Sequence, residues 1–453
     1  MSTRAPGAPA GAARKPVTSG ASFALGASGR LLPLSVPMRF FGAAAAFQLV
    51  AWVALGLGAE QVPRFAGGTG WPLAALHAVT LGMLAMSAVG ASLQMMPVAT
   101  LQPLAWRTAP RVVWWLLVPG VAALVLGMGL QRTALMALAA VPVVIALAIY
   151  ALLLARNLVG ARGMAGVRAM GWLALAALAA ALASAAALVA VWAGWAAWPR
   201  PGLLMLHITG AVFGFMGLLA LGLANILVPM FALGPVPPER VQLRVAALAA
   251  AAIVLAVPVA LDLWPREALL AAVACAASAS ALHLRSMQQV LRQGMRRHLG
   301  GSFQLVRLGW GALLVTWALA AWWAVDGERA GLATALLACA VAGWLMSFLL
   351  GIVQRIVPFL VSMHGAGAGR RAPTPSSLTD ERALAVHRWA HFGALALLAV
   401  GLVTDQALPL QLAAVCGAVG AVAFGRFVVE AVRRRAPALR AATRKAAPPS
   451  ASP

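Results

Sequence analysis

An all-α polytopic membrane protein of twelve transmembrane helices, grouped in three four-helix repeats, is the architecture to expect from this chain. Three observations carry that expectation. First, 62% of the residues are hydrophobic and only 10% charged, which leaves too little polar surface to cover a soluble domain of 453 residues. Second, apolar runs of about 20 residues, the length that crosses a bilayer as a helix, follow one another almost throughout. Third, a frame of glycine, seven residues, glycine, six residues, proline occurs three times: Gly82, Gly90, Pro97; Gly214, Gly222, Pro229; and Gly343, Gly351, Pro358.

The spans fall into three units. The first, 38–154, holds apolar runs at 38–57, 73–98, 112–130 and 134–154. A second, 170–284, holds 170–192, 203–231, 245–261 and 267–284, and a third, 305–429, holds 305–325, 331–361, 385–403 and 408–429. The frames thus fall on the second helix of each unit, spans 2, 6 and 10. These three run in the same direction, so the repeats are expected to be parallel and related by a pseudo-threefold axis along the membrane normal, unlike inverted-repeat transporters. Paired glycines let neighbouring backbones approach closely, and the proline kinks or stops each helix near its end. The three framed helices are expected to line the centre. Outside the membrane domain at 38–430, residues 1–37 and 431–453 are rich in Ala, Gly, Ser, Pro or Arg and are expected to be disordered tails.

The formal charge of +24 does not point to nucleic acid, because the arginines sit in short segments between apolar runs and in the tails. Loops after the even-numbered spans carry two or more each, such as Arg107 and Arg111, or Arg156, Arg162 and Arg168. The opposite loops carry one each: Arg64, Arg132, Arg200, Arg266 and Arg329. The positive-inside rule then places both termini in the cytoplasm of a bacterium-like cell, in its inner membrane, with Glu60, Asp262, Asp326 and Asp405 facing outward. Cys275, Cys339 and Cys416 lie inside spans without a CxxC, which reads as small packing residues and not as a disulfide framework.

Few side chains at membrane depth carry chemistry. None of the ten acidic residues lies deep in a span, so the buried carboxylates of proton-coupled carriers are missing. His77 and His207 stand at a common depth near the outer boundary of spans 2 and 6, as metal ligands or as hydrogen-bonding groups between helices. Arg355, in "QRIVP", either snorkels to the interface or meets an anionic head group or haem propionate. Gln94, Asn225 and Gln354, with Ser87, Ser92 and Ser347, are the polar residues available to a central cavity. Met83, Met86, Met95, Met96, Met205, Met216 and Met230 crowd the same helices and read as packing. His387 and His391, one turn apart in "HRWAH", have metal-chelating spacing but read as interfacial histidines beside Trp389. The stretch "LRSMQQVLRQGMRRHLGG", flanked by His283 and His298, suggests an amphipathic surface helix touching anionic lipid, and His364 begins a loop.

The segments "LHAVTLGMLAMSAVGASLQMMPV", "LHITGAVFGFMGLLALGLANILVPMF" and "GWLMSFLLGIVQRIVPFLVSMH" resemble a set of bacterial membrane proteins described as subunit I-like, over most of residues 38–430. More distantly, the pattern is similar to subunit I of haem-copper oxidases and nitric oxide reductases. That resemblance implies an oxidase-like fold in which helix 2 gives a histidine to a low-spin haem, helix 10 gives histidines to two haems, and helices 6 and 7 give three to a copper ion. His77 matches helix 2 and His207 matches helix 6, but span 7 and span 10 contain no histidine, and Ala211 stands where the resemblance implies a tyrosine. A complete oxygen-reducing centre is therefore not expected. What the resemblance leaves is a haem held by His77 and a separate copper or hydrogen-bonding site at His207, in a respiratory, assembly or nitric-oxide-related role with a respiratory-complex or cytochrome partner. A transporter or channel for a small solute, and a non-catalytic scaffold for a respiratory complex, are the other classes open. Reporter fusions after Ala431 and near Gly327 should lie on opposite sides of the membrane; the same side for both would contradict the topology.

Overall fold

The computed structural model describes residues 30–327, 329, 331–364 and 373–435. All twelve spans are present as helices: α1 Ser35–Leu57, α2 Trp71–Ala99, α3 Ala109–Gly129, α4 Thr133–Val159, α5 Ala165–Trp192, α6 Arg200–Ala232, α7 Glu239–Ala260, α8 Pro265–Gln293, α9 Ser302–Val325, α10 Leu332–Met363, α11 Glu381–Thr404 and α12 Ala407–Arg433. Without water in the hydrocarbon core, each segment must satisfy its backbone groups internally, which is why the apolar runs become helices. Twelve crossings return the chain to the side on which it starts, here called the terminal face.

Most helices outrun the apolar stretch that announces them. The sequence boundary falls at the first arginine, whereas the backbone continues and the arginine turns its head aside: Arg156, inside α4, lies over the Trp106 ring at 4.4 Å. For the same reason Arg285–Gln293 continues α8 and does not form a separate surface helix. The expected tails, 1–37 and 431–453, lie mostly outside the described residues. Their inner edges are not tails: α1 starts at Ser35 and α12 runs to Arg433. Ahead of α1, Leu32 is buried, with its amide donating to Gln94 Oε1 at 3.2 Å and its carbonyl accepting from His364 Nε2 at 2.9 Å.

Both frame glycines of each unit face the first helix of that unit. A Cβ on Gly82 would run into the Phe47 ring, and one on Gly90 would come within 2.7 Å of Phe40 Cβ, both on α1. Gly214 and Gly222 meet Ala177 and Met170 of α5 in the same way. Gly343 and Gly351 meet Ala312 and Ser302 of α9, a Cβ on Gly351 falling 2.5 Å from the Ser302 carbonyl oxygen. Thus α2 beds on α1, α6 on α5 and α10 on α9 through the same two positions. These three framed helices are the most buried of the twelve and touch one another at the centre.

Each framed helix also contains a π-helical stretch, at Ala78–Ala85, Thr209–Gly217 and Cys339–Met346. The wider turn inserts a residue into the 3.6-residue register and rotates the first part of the helix relative to the second. In α2 and α6 the stretch begins just after His77 and two residues after His207.

Gly82→Leu should lower the melting temperature of the purified protein by the overpacking cost of about 1–3 kcal/mol. Gly42→Leu, on the same unit with open space around it, should not; equal effects would contradict the bedding of α2 on α1.

Candidate functional site

A cavity of about 1040 Å³ opens between the halves of α2, α6 and α10 away from the terminal face, with α7, α8 and α9 as its outer wall. Its walls are apolar, with Leu73 from α2, Phe213 from α6, Ile253 from α7, Trp317 from α9 and Trp344 from α10 among the lining. The polar side chains on it are few, and three are engaged locally. Thr80 donates to Leu76 O at 2.9 Å, Thr334 to Phe65 O at 2.9 Å, and Ser280 accepts from Trp317 Nε1 at 2.8 Å.

His77 and His207 face each other across this cavity, with ring centroids 6.2 Å apart and planes within 13° of parallel. Each Nδ1 lies 3.0 Å from a carbonyl oxygen, Leu73 O for His77 and Ala181 O for His207. A carbonyl only accepts, so both rings donate through Nδ1, and in the neutral imidazole Nε2 keeps its lone pair. His207 reaches Ala181 on α5 because Gly210 brings the two helices together; a Cβ there would lie 2.9 Å from Ala177 O. An imidazole fixed by one nitrogen and bare at the other has the form of a metal ligand with its supporting hydrogen bond. The two histidines, expected from the sequence to serve separate sites, line one cavity. The π-helical stretches of α2 and α6 begin just past the two rings.

The other candidates lie elsewhere. Gln94, Asn225 and Gln354 do not line this cavity: they are buried among the central helices. Gln94 takes the Leu32 amide, and Asn225 Nδ2 donates to Leu221 O at 3.0 Å on its own helix. Arg355 points towards the terminal face, its Nε donating to Ser302 Oγ at 2.8 Å. Eleven residues of α10 separate it from Trp344, the cavity residue nearest to it on that helix, about 16 Å at 1.5 Å per residue, and Arg355 does not line the cavity. Of the methionines singled out, Met205 lines the cavity while Met83, Met86, Met95, Met96, Met216 and Met230 are packed in the core. His387 and His391 are not interfacial: both are buried between α10 and α12, and only Trp389 between them is exposed. The aromatic wall of Phe213, Trp317 and Trp344 was not singled out in the sequence; its one signal is tryptophan in spans 9 and 10.

The positions at which the resemblance implies further ligands hold other residues. Helices α7 and α10 carry no histidine, and Ala211 lines the cavity one turn after His207. The chain's one tyrosine, Tyr150, is buried on α4 against Ser92 Oγ at 2.9 Å and does not line the cavity. Among the described residues, no group of three or more His, Cys, Asp or Glu side chains is placed to hold a metal.

Comparison with solved structures places this architecture. A haem-copper terminal oxidase, known from a cryo-EM structure of its dimer, superimposes with a TM-score of 0.57 at 12% identity, covering 92% of this chain and 85% of that one. The chain has an oxidase subunit I-like fold. No protein-family model and no curated protein sequence matches it.

With the helix 7 and helix 10 ligands missing, purified protein is expected to reduce neither oxygen nor nitric oxide at enzymatic rates. Sustained turnover by oxygen electrode, in preparations from a host lacking its own oxidases, would contradict this.

Proposed function

We propose that this oxidase-fold membrane protein binds a haem in the cavity between α2 and α6, with His77 and His207 as its imidazole ligands, and that it works as a haem-holding protein without oxidase turnover. The observation that carries the reading is the pair of facing imidazoles, each anchored through Nδ1 and bare at Nε2, on one large apolar chamber.

The donor set fits the group. Neutral imidazole is a common axial ligand of haem iron, and carbonyl partners on Nδ1 hold the required tautomer. The chamber favours haem over a bare copper ion. A single ion needs ligands but no volume, whereas about 1040 Å³ of aliphatic and aromatic wall suits a macrocycle. Copper on the same two imidazoles is the smaller occupant that the donor chemistry also admits.

When bound, haem supplies a redox-active iron that takes diatomic gases. The chain's own contribution is binding and exclusion. His77 and His207 fix the position of the group, while Phe213, Trp317 and Trp344 offer flat apolar surfaces and keep water out. Asp262 is the one carboxylate on the cavity lining, and no tyrosine or third histidine joins it there among the described residues, so a gas-binding, sensing or assembly role in respiration suits the site better than catalysis. The arginine-rich terminal face is cytoplasmic in this reading, which places the cavity in the outer half of a bacterial inner membrane. The three glycine-proline frames, each bedded on the first helix of its unit, are read as internal repeats in which only the first two units kept an imidazole.

The test is a reduced-minus-oxidised spectrum of the purified protein with iron and copper analysis, in wild type and in His77→Ala, His207→Ala and Arg355→Gln. The expected result is a haem signal that both histidine variants alter or lose and Arg355→Gln retains. A haem signal unchanged in both histidine variants, or iron and copper absent from wild type grown with haem precursor, would overturn the assignment.

A further inference from the structure

A second imidazole pair lies nearer the terminal face, and neither of its rings lines the cavity. His387 and His391 occupy one face of α11, a single turn apart, with ring centroids 6.0 Å apart and planes 18° from parallel. Counting from Glu381 at 1.5 Å per residue, they sit about 9 and 15 Å along the helix, well inside the membrane domain. Both are buried, 0% and 1% exposed, behind α10 and α12.

Each ring has one nitrogen engaged as a donor. His387 Nδ1 donates to Gly420 O on α12 at 3.0 Å. His391 Nε2 lies 2.8 Å from Ser347 Oγ on α10, and that hydroxyl itself donates to Ala342 O at 3.3 Å, so it accepts from the ring. What remains is a lone pair on His387 Nε2 and another on His391 Nδ1. Both atoms are buried and have no hydrogen-bond partner. Leaving one buried acceptor unpaired is costly, and here two such acceptors stand on neighbouring turns of one helix face.

The surroundings narrow what that partner is. Among the described residues no acidic or cysteine side chain joins the two histidines in a three-ligand group. Zinc, which takes four ligands in structural sites, is poorly served, and any dication would leave two uncompensated charges in a low-dielectric interior. A soft monovalent ion content with two nitrogen donors suits the site. Phe424 packs over the His387 ring at 5.1 Å and helps close the space to bulk water.

We propose that His387 and His391 form a buried two-coordinate copper(I) site, with Ser347 and the Gly420 carbonyl holding the rings in the ligating tautomers. The site is independent of the haem reading, because it shares no residue with the cavity. A bridging water donating to both lone pairs is the competing occupant.

The experiment is an anaerobic titration of full-length purified protein with copper(I) against a chromophoric copper(I) chelator, in wild type, in His77→Ala/His207→Ala and in His387→Ala/His391→Ala. Elution profile and helical circular dichroism check folding in each. One copper(I) per chain is expected to persist in His77→Ala/His207→Ala and to weaken at least 100-fold in His387→Ala/His391→Ala. Failure of His77→Ala/His207→Ala to retain copper(I) while folded, or undiminished binding by His387→Ala/His391→Ala, would overturn the site; the first outcome favours the bridging water. X-ray absorption on the copper-loaded protein with intact His387 and His391 gives a second readout that needs no variant at this pair. Two nitrogen neighbours are expected in His77→Ala/His207→Ala, and sulfur or a higher coordination number contradicts the proposal. If His77→Ala/His207→Ala does not fold, the single variants His77→Ala and His207→Ala serve instead, with the same two outcomes.

Discussion

Close approach of three helix pairs is the constraint on which the rest of this molecule depends. Lipid gives apolar side chains little reason to leave it, so helices in a membrane are held by shape, and shape here is supplied by glycine. Gly82 and Gly90 admit Phe47 and Phe40; Gly214 and Gly222 admit Ala177 and Met170; Gly343 and Gly351 admit Ala312 and the Ser302 backbone. With each framed helix bedded on its neighbour, α2, α6 and α10 converge, and the π-helical stretches in each meet at the centre. Convergence accounts for the buried amides of Gln94, Asn225 and Gln354 and for the facing imidazoles at the opposite end.

The fold was largely legible in the sequence because its two determinants are one-dimensional. Apolar runs of membrane length announce all twelve helices, and the spacing of glycine and proline singles out the three that become central. Helix ends were less legible, since an arginine such as Arg156 lies past the apolar run yet inside the helix. Side-chain direction was not legible. His77 and His207 lie five and seven residues before their frame glycines, which suggests different faces; the π-helical turns that redirect them leave no mark in residue type. His387 and His391 show the same limit in reverse. Their four-residue spacing reads as a chelating pair at the interface, but only the packing of α11 against α10 and α12 decides that the pair faces inward.

Two kinds of polar group inside the membrane domain bear on this reading. Ser92 with Tyr150, Thr100 with Asn157, and Trp317 with Ser280 satisfy one another and fasten neighbouring helices. The four central histidines instead come in pairs, each ring anchored through one nitrogen, with the other left for something that is not protein in this reading. The framework is that of an oxidase subunit, while the residues the resemblance implies for oxygen chemistry are absent at α7, α10 and Ala211. In the proposed reading the two imidazoles of the cavity hold a group without turning over substrate.

The central claim, that His77 and His207 address one occupant in one cavity, is tested most directly by an experimental cryo-EM map of the full chain extracted from its native membrane without added ligand. The account predicts non-protein density of macrocyclic shape between the two imidazoles and connected to both. Imidazoles separated by intervening side chains, or a ligand bound to one of them from a different compartment, would contradict it.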